Sequence, residues 1–165
     1  RDAITGIENA HALALAPVAV WIALRGEQVL ENPADLLPAL VLGGAVAAWV
    51  AGFDMIYACQ DFESDRAAKL HSVPTWLGIA GALRLAMVCH GVAVLLLALV
   101  PLVYPPLGGL YWAAVVAVAG LLVYEHALVR PDDLDRVNIA FFNVNAVISL
   151  GLLLAGTLDL WLGSG

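Results

Sequence analysis

LLPALVLGGAVAAWVAGFDMIYACQDFESD, residues 36–65, is the stretch that decides the fold. To about Ala58 it is a nearly unbroken apolar run, and its end carries Asp54, Asp61 and Asp65. The run exceeds the ~20 residues that a membrane-spanning helix needs. On a helix each residue advances about 100°, so Asp54, Tyr57, Asp61 and Asp65 fall within roughly an 80° arc. Glu63 points to the opposite side. Like charges four residues apart repel, and carboxylates near lipid are costly. A cation removes both penalties. Magnesium, held by one or two carboxylates plus substrate phosphates, fits this layout.

Outward from this stretch, the chain is of one kind. Its 165 residues are 62% hydrophobic and 13% charged, with a mean hydropathy of +0.91. A soluble domain carries about 25% charged residues. The class is therefore an all-α polytopic membrane bundle. Five apolar segments run from about His11 to Leu24, Leu36 to Ala58, Trp76 to Tyr104, Leu110 to Val129 and Val137 to Leu162. Period-two alternation is absent, which argues against a barrel. Breakers sit where loops are needed: Gly26 to Pro33, the run Pro101, Pro105, Pro106, Gly108 and Gly109, and Arg130 to Asp135. Residues 1–165 read as a single domain without a linker. No secretory signal is recognisable at the start. The chain opens on Arg1 rather than Met, as a fragment or processed product does.

Charge gives the orientation. With five spans, the N-terminus, the 59–76 loop and the 130–136 loop share one side. That side and its helix ends hold Arg1, Arg66, Lys69, Arg84, Arg130 and Arg136, and the other side holds only Arg25. Six against one is a positive-inside signal, so the aspartates face the cytoplasm. The net charge of −7 says little about partners, because the acids sit in loops and in the stripe. Basic residues are few and not interleaved with aromatics, which gives no sign of nucleic acid binding.

Arg66, Lys69, His71 and Ser72 follow the stripe at once. Cations after carboxylates suit a diphosphate: the carboxylates hold magnesium on its oxygens, Arg binds as a fork and Lys as a point charge. The plainer reading is that Arg66 and Lys69 anchor a cytoplasmic loop. Asp61 and Asp65 have a plain reading too, as a solvated loop. Asp54 lies about two turns deeper, and acids at that depth are functional candidates. Tyr57 suits an interfacial belt as well as the stripe.

Elsewhere the polar residues read as structure. Cys59 and Cys89 read as small buried residues without metal-ligand spacing. His90 reads as a core histidine, and Asn143 and Asn145 as helix-packing groups. His11 reads as interfacial. Glu125 and His126 read as helix-end polarity or the rim of an entrance. Gly44, Ala48 and Gly52 form a small-residue row for close helix packing. Trp21, Trp76, Trp112 and Trp161 sit near span ends, whereas Trp49 lies mid-span and reads as facing lipid or an apolar tail.

GFDMIYACQDFESDRAAKLHSVPTWLGI, residues 52–79, resembles the second aspartate-rich motif of the UbiA superfamily of intramembrane prenyltransferases. The matching residues are Asp54, Tyr57, Asp61, Asp65, Lys69, Ser72 and Gly78. NIAFFNVNAVISLGLLLAGTLD, residues 138–159, resembles the last helix of bacterial members. VYEHALVRPDDLDRVN, residues 123–138, resembles the subset tied to menaquinone synthesis by the futalosine route. LALAPVAVW, residues 13–21, resembles a helix in the motif-bearing half.

The resemblance implies nine helices in two pseudo-repeated halves, of which the five spans here look like the last five. It implies a first motif, NDxxDxxxD, which this sequence lacks. The site would then need the missing N-terminal helices or a partner chain. It further implies Mg2+ on Asp61 and Asp65, isoprenyl diphosphate on Arg66, Lys69 and Ser72, and Asp54 and Tyr57 as catalytic residues. An aromatic acceptor would be prenylated, in quinone biosynthesis, at a bacterial inner membrane among membrane lipid. Two other readings remain beside it. A CDP-alcohol phosphotransferase needs Gly and Arg between closely spaced aspartates, which this stretch lacks. A non-catalytic membrane subunit or half-protein is favoured by the missing first motif.

Overall fold

The computed structural model describes residues 3–131, 134 and 143–163, and side chains from residue 12 onward. Arg1, Arg136 and the predicted start of the fifth span at 137–142 lie outside the described residues. Among the described residues every regular element is helical. Helix α1 spans Ala3–Glu31, α2 Leu37–Ala58, α3 Phe62–Ala67, α4 Val73–Val103, α5 Gly109–Leu128 and α6 Asn145–Gly163. Five of these helices are long and apolar enough to cross a membrane. The all-α, five-span expectation therefore holds.

Two predicted loops are corrected. The stretch Gly26 to Pro33 was expected to separate the first two spans, but α1 continues through Gly26 to Glu31. A helical Gly costs only about 1 kcal/mol, and Glu27, Gln28, Leu30 and Glu31 are good helix formers. The irregularity falls instead at Arg25, with φ −132° and ψ 25°. The chain then turns tightly. Asn32 caps a short 3-10 turn over Pro33–Leu36, its side chain accepting from the Ala34 N–H at 3.3 Å. The expected 59–76 loop is also largely helical. It holds a 3-10 turn at Cys59–Asp61, α3, and the first turn of α4.

Helix α2 is the hub, packing on α4 most extensively and then on α1, while α5 packs on α6 and α4. The small residues of α2 permit this approach. A Cβ built on Gly44 would meet Leu96 at 3.3 Å, and one on Gly52 would meet the His90 ring at 2.2 Å. Two apolar clusters result. One gathers Ala45, Leu97, Val100, Tyr111, Val115, Val118, Leu122, Val144 and Ile148. The other, at the aspartate end, gathers Ile56, Cys59, Ala82, Leu83, Ala86 and Val129. Large apolar side chains such as Leu95, Val116, Leu153 and Trp161 point outward, as in a bundle solvated by lipid.

The end opposite the aspartates is pinned by polar contacts. Arg25 pairs with Asp35 at 2.7 Å and lies over the Trp21 ring. Trp21 Nε1 donates to Asp35 at 3.0 Å, and its ring meets Tyr104 edge to face. The lone cation of this side is thus engaged in an ion pair. The Asp159 carboxylate on α6 accepts the backbone N–H groups of Gly108, Leu110 and Tyr111 and so caps the start of α5.

Candidate active site at the end of α2

Asp54 lies in the last two turns of α2, about 6 Å along the axis before its end at Ala58. Its side chain is half-buried, on a different face from the buried Ile56. Tyr57 is 40% exposed. The α-helix then stops. The Cys59 N–H reaches back to the Ile56 and Tyr57 carbonyls, and Cys59–Asp61 tightens into a 3-10 turn. A 3-10 residue advances about 120° rather than 100°, so three of them rotate the downstream residues by roughly 60°. The predicted arc of roughly 80° over Asp54, Tyr57, Asp61 and Asp65 therefore widens to roughly 140°.

Asp61 sits at φ −91° and ψ 5° as the residue before α3, yet its side chain makes no capping bond. Asp65 occupies the first turn of α3. Ser64 Oγ donates to the Asp61 main-chain carbonyl at 2.9 Å and leaves the carboxylate alone. Neither carboxylate has a hydrogen-bond or ion-pair partner among the described residues. Two free carboxylates can serve a magnesium ion whose other ligands are phosphate oxygens and water. No group of three or more His, Cys, Asp or Glu converges to hold a metal among the described residues. The donor set thus fits one part of a metal–phosphate site, not a closed protein cage.

Arg66 ends α3, and Lys69 follows it; both side chains are exposed. The Lys69 N–H bonds the Arg66 carbonyl at 3.3 Å and the Leu70 N–H bonds the Asp65 carbonyl at 2.9 Å. This pairing is a Schellman stop, which needs a left-handed residue, and Lys69 supplies it at φ 55°. Glycine is the usual occupant. A lysine there costs roughly 1–2 kcal/mol of backbone strain.

Ser72 is 9% exposed and precedes α4. Its N–H donates to Thr75 Oγ1 at 2.9 Å, and Thr75 Oγ1 donates to the Ser72 and Leu70 carbonyls. Ser72 therefore has a local role in starting α4, beside any contact with a ligand. Gly78 breaks α4 at φ 71° and ψ 164°, a conformation that glycine alone adopts easily. The structure thus brings Asp54, Tyr57, Asp61, Asp65, Arg66, Lys69 and Ser72 to one end of the bundle.

Residues 9–147 match the UbiA prenyltransferase family. The chain belongs to that family. It is 31% identical over 125 residues to a 4-hydroxybenzoate octaprenyltransferase of Chromohalobacter salexigens, covering 76% of this chain and 41% of that protein. It is 24% identical over 149 residues to a polyprenyl transferase of Arthrobotrys oligospora, covering 86% of this chain and 37% of that protein. The chain thus spans about two fifths of the length of these curated relatives. No solved structure matches. Family membership and five apolar helices make the chain an integral membrane protein.

Several polar residues of this UbiA chain sit where sequence reasoning did not put them. Trp49 does not face lipid alone, because its Nε1 donates to Asn145 Oδ1 at 3.0 Å. Glu125 was expected at a wet helix end but is fully buried. His90 is buried, as expected, and bonds His126, Nδ1 to Nε2, at 3.0 Å. The signal for this pairing was a histidine on each of two apolar segments, one mid-span and one in the last turn of its helix. Its partner assignment depends on helix neighbours that sequence spacing does not reveal.

Proposed function

We propose that this chain forms one wall of an intramembrane prenyltransferase site. The reaction moves an isoprenyl group from its diphosphate to an aromatic acceptor. One observation carries the reading: two carboxylates unpaired among the described residues, Asp61 and Asp65, are followed within one short turn by two exposed cations, Arg66 and Lys69. The family and the named activity of the Chromohalobacter relative support the same reaction class. A hydroxybenzoate-type acid is the acceptor favoured by that relative. The tract at residues 123–138 favours a menaquinone precursor, and both support a role in quinone biosynthesis.

Asp61 and Asp65 would hold Mg2+, which when bound neutralises diphosphate oxygens and stabilises the charge of the leaving group. Arg66 grips the diphosphate as a fork and Lys69 as a point charge. Ser72 closes the same end. The allylic C–O bond breaks and its electron pair leaves with diphosphate. The allylic cation forms a C–C bond with the electron-rich ring, which then loses a proton. Asp54 stands deeper than the diphosphate ligands, where a carboxylate stabilises the cation and accepts that proton. Tyr57 lines the same wall. Surrounding apolar helices keep water from the cation. The excess of positive charge at this end favours a cytoplasmic-facing site in a bacterial inner membrane.

The test is Asp61→Asn and Asp65→Asn in the full-length protein, with labelled isoprenyl diphosphate and acceptor at saturating magnesium. The expected loss of product formation is about a hundredfold, the scale of losing one transition-state contact. Undiminished turnover overturns the metal assignment. The lack of an NDxxDxxxD motif in this sequence favours one second reading, a non-catalytic half that needs a partner. Magnesium-dependent diphosphate binding without turnover in the full-length protein would select it.

A further inference from the structure

One layer of the bundle is polar where both neighbouring layers are apolar. It holds Trp49 and Gly52 on α2, His90 on α4, Glu125 and His126 on α5, and Asn145 on α6. The apolar clusters around Val118 and around Ile56 lie on either side of it. Three ties cross the layer. The His90 ring packs so close to Gly52 that an added Cβ would lie 2.2 Å from it. His90 Nδ1 bonds His126 Nε2 at 3.0 Å, joining α4 to α5. Trp49 bonds Asn145 at 3.0 Å, joining α2 to α6. Among the described residues, His90 Nε2, both Glu125 carboxylate oxygens and Asn145 Nδ2 are buried without a hydrogen-bond partner.

Such a layer does not exist for stability. Each unpartnered buried group costs about 1–3 kcal/mol, and apolar residues would fill the space at less cost. What the layer does supply is position. Asp54 is two residues beyond Gly52 and one turn beyond Val50, on the same helix. The His90 ring leaves Gly52 no freedom to approach α4 further, and His126 fixes the ring.

We propose that His90 and His126 are positioning residues for Asp54: His126 holds the His90 ring, the ring holds α2 at Gly52, and the Asp54 carboxylate is thereby fixed at its depth. This rests on the prenyltransferase reading, in which Asp54 acts in the chemical step. The clamp lies away from Asp61, Asp65, Arg66 and Lys69, so it affects chemistry and not diphosphate capture.

The experiment is a double-mutant cycle in the full-length protein, with kcat and KM measured per folded enzyme. His126→Phe keeps ring volume and removes the nitrogen that holds His90. It is expected to lower kcat about tenfold, the scale seen when a supporting shell is loosened, with KM for isoprenyl diphosphate unchanged. In an Asp54→Asn background the same change should lower kcat no further. His126→Gln, which retains a hydrogen-bonding amide, should restore most of kcat. Equal losses in both backgrounds, or a rise in KM without a fall in kcat, overturn the clamp. Should Asp54→Asn alone leave kcat intact, the role of Asp54 fails and the clamp with it. Should Asp54→Asn lower kcat while His126→Phe does not, only the clamp fails. If His126→Phe does not fold, Gly52→Ala probes the same contact from α2 and should give the same split.

Discussion

Lys69→Gly should make the protein more stable and worse at binding diphosphate. Lys69 holds φ 55° in the stop that ends α3. An L-residue there costs roughly 1–2 kcal/mol relative to glycine. Glycine loses more chain entropy on folding, which returns about 0.5–1 kcal/mol of that gain. The net expectation is stabilisation of about 0.5–1 kcal/mol, a rise of roughly 1–4 °C in melting temperature. Binding moves the other way. A charge-assisted contact is worth about 1.5–3 kcal/mol. Its loss at an exposed position, taken at the low end, weakens affinity about tenfold. The assay is calorimetric titration of full-length protein in detergent with a short isoprenyl diphosphate and magnesium, paired with a thermal melt. Lys69→Asn should behave alike, because asparagine tolerates the left-handed conformation and carries no charge. Lys69→Arg should keep affinity and gain nothing in stability. Unchanged affinity in the glycine variant would reduce Lys69 to a loop anchor. A lower melting temperature would mean that the Lys69 side chain supports the turn itself.

Other perturbations separate structure from chemistry. Gly78→Ala should cost about 1–3 kcal/mol in a melt, because φ 71° with ψ 164° is a region essentially confined to glycine, while no atom lies within 4 Å to clash with the added methyl. Asp159→Asn should lower the melting temperature by a few degrees, since three backbone N–H groups at the start of α5 lose a charged acceptor, and should leave KM for diphosphate unchanged. Arg25→Gln should leave diphosphate affinity unchanged in the same titration, because its ion pair with Asp35 lies at the other end of α2.

The fold was legible because lipid demands so much of sequence. A helix that must bury every backbone group in hydrocarbon has to be long and apolar, and such runs stand out without any knowledge of neighbours. The aspartate end was legible for a related reason, since carboxylates and cations beside an apolar run are conspicuous against it. What spacing could not show was how the helix itself ends. A continuous 100° advance put Asp54, Tyr57, Asp61 and Asp65 on one stripe. The 3-10 turn at Cys59–Asp61 rotates the last two by about 60° and broadens that stripe, and nothing in the residue types forbids either geometry. The extended α1 follows the same logic, because Gly26 reads as a breaker in isolation yet sits among strong helix formers.

Pairings between distant segments were the least legible. His90, His126, Trp49 and Asn145 lie on four separate apolar segments. Their meaning comes from meeting at one depth, which depends on how α2, α4, α5 and α6 cross. The two kinds of residue also answer to different pressures. A residue whose conformation is costly where it stands, such as Lys69, declares itself through its backbone and can be tested by removing the cost. A residue that is costly only because of where its neighbours leave it, such as Glu125, needs the packed bundle before the cost is visible. Both kinds of cost gather around the end of α2. The backbone strain lies just beyond the aspartates and the polar groups unpartnered among the described residues lie just beneath them, so costly local features bracket the residues assigned to the chemistry.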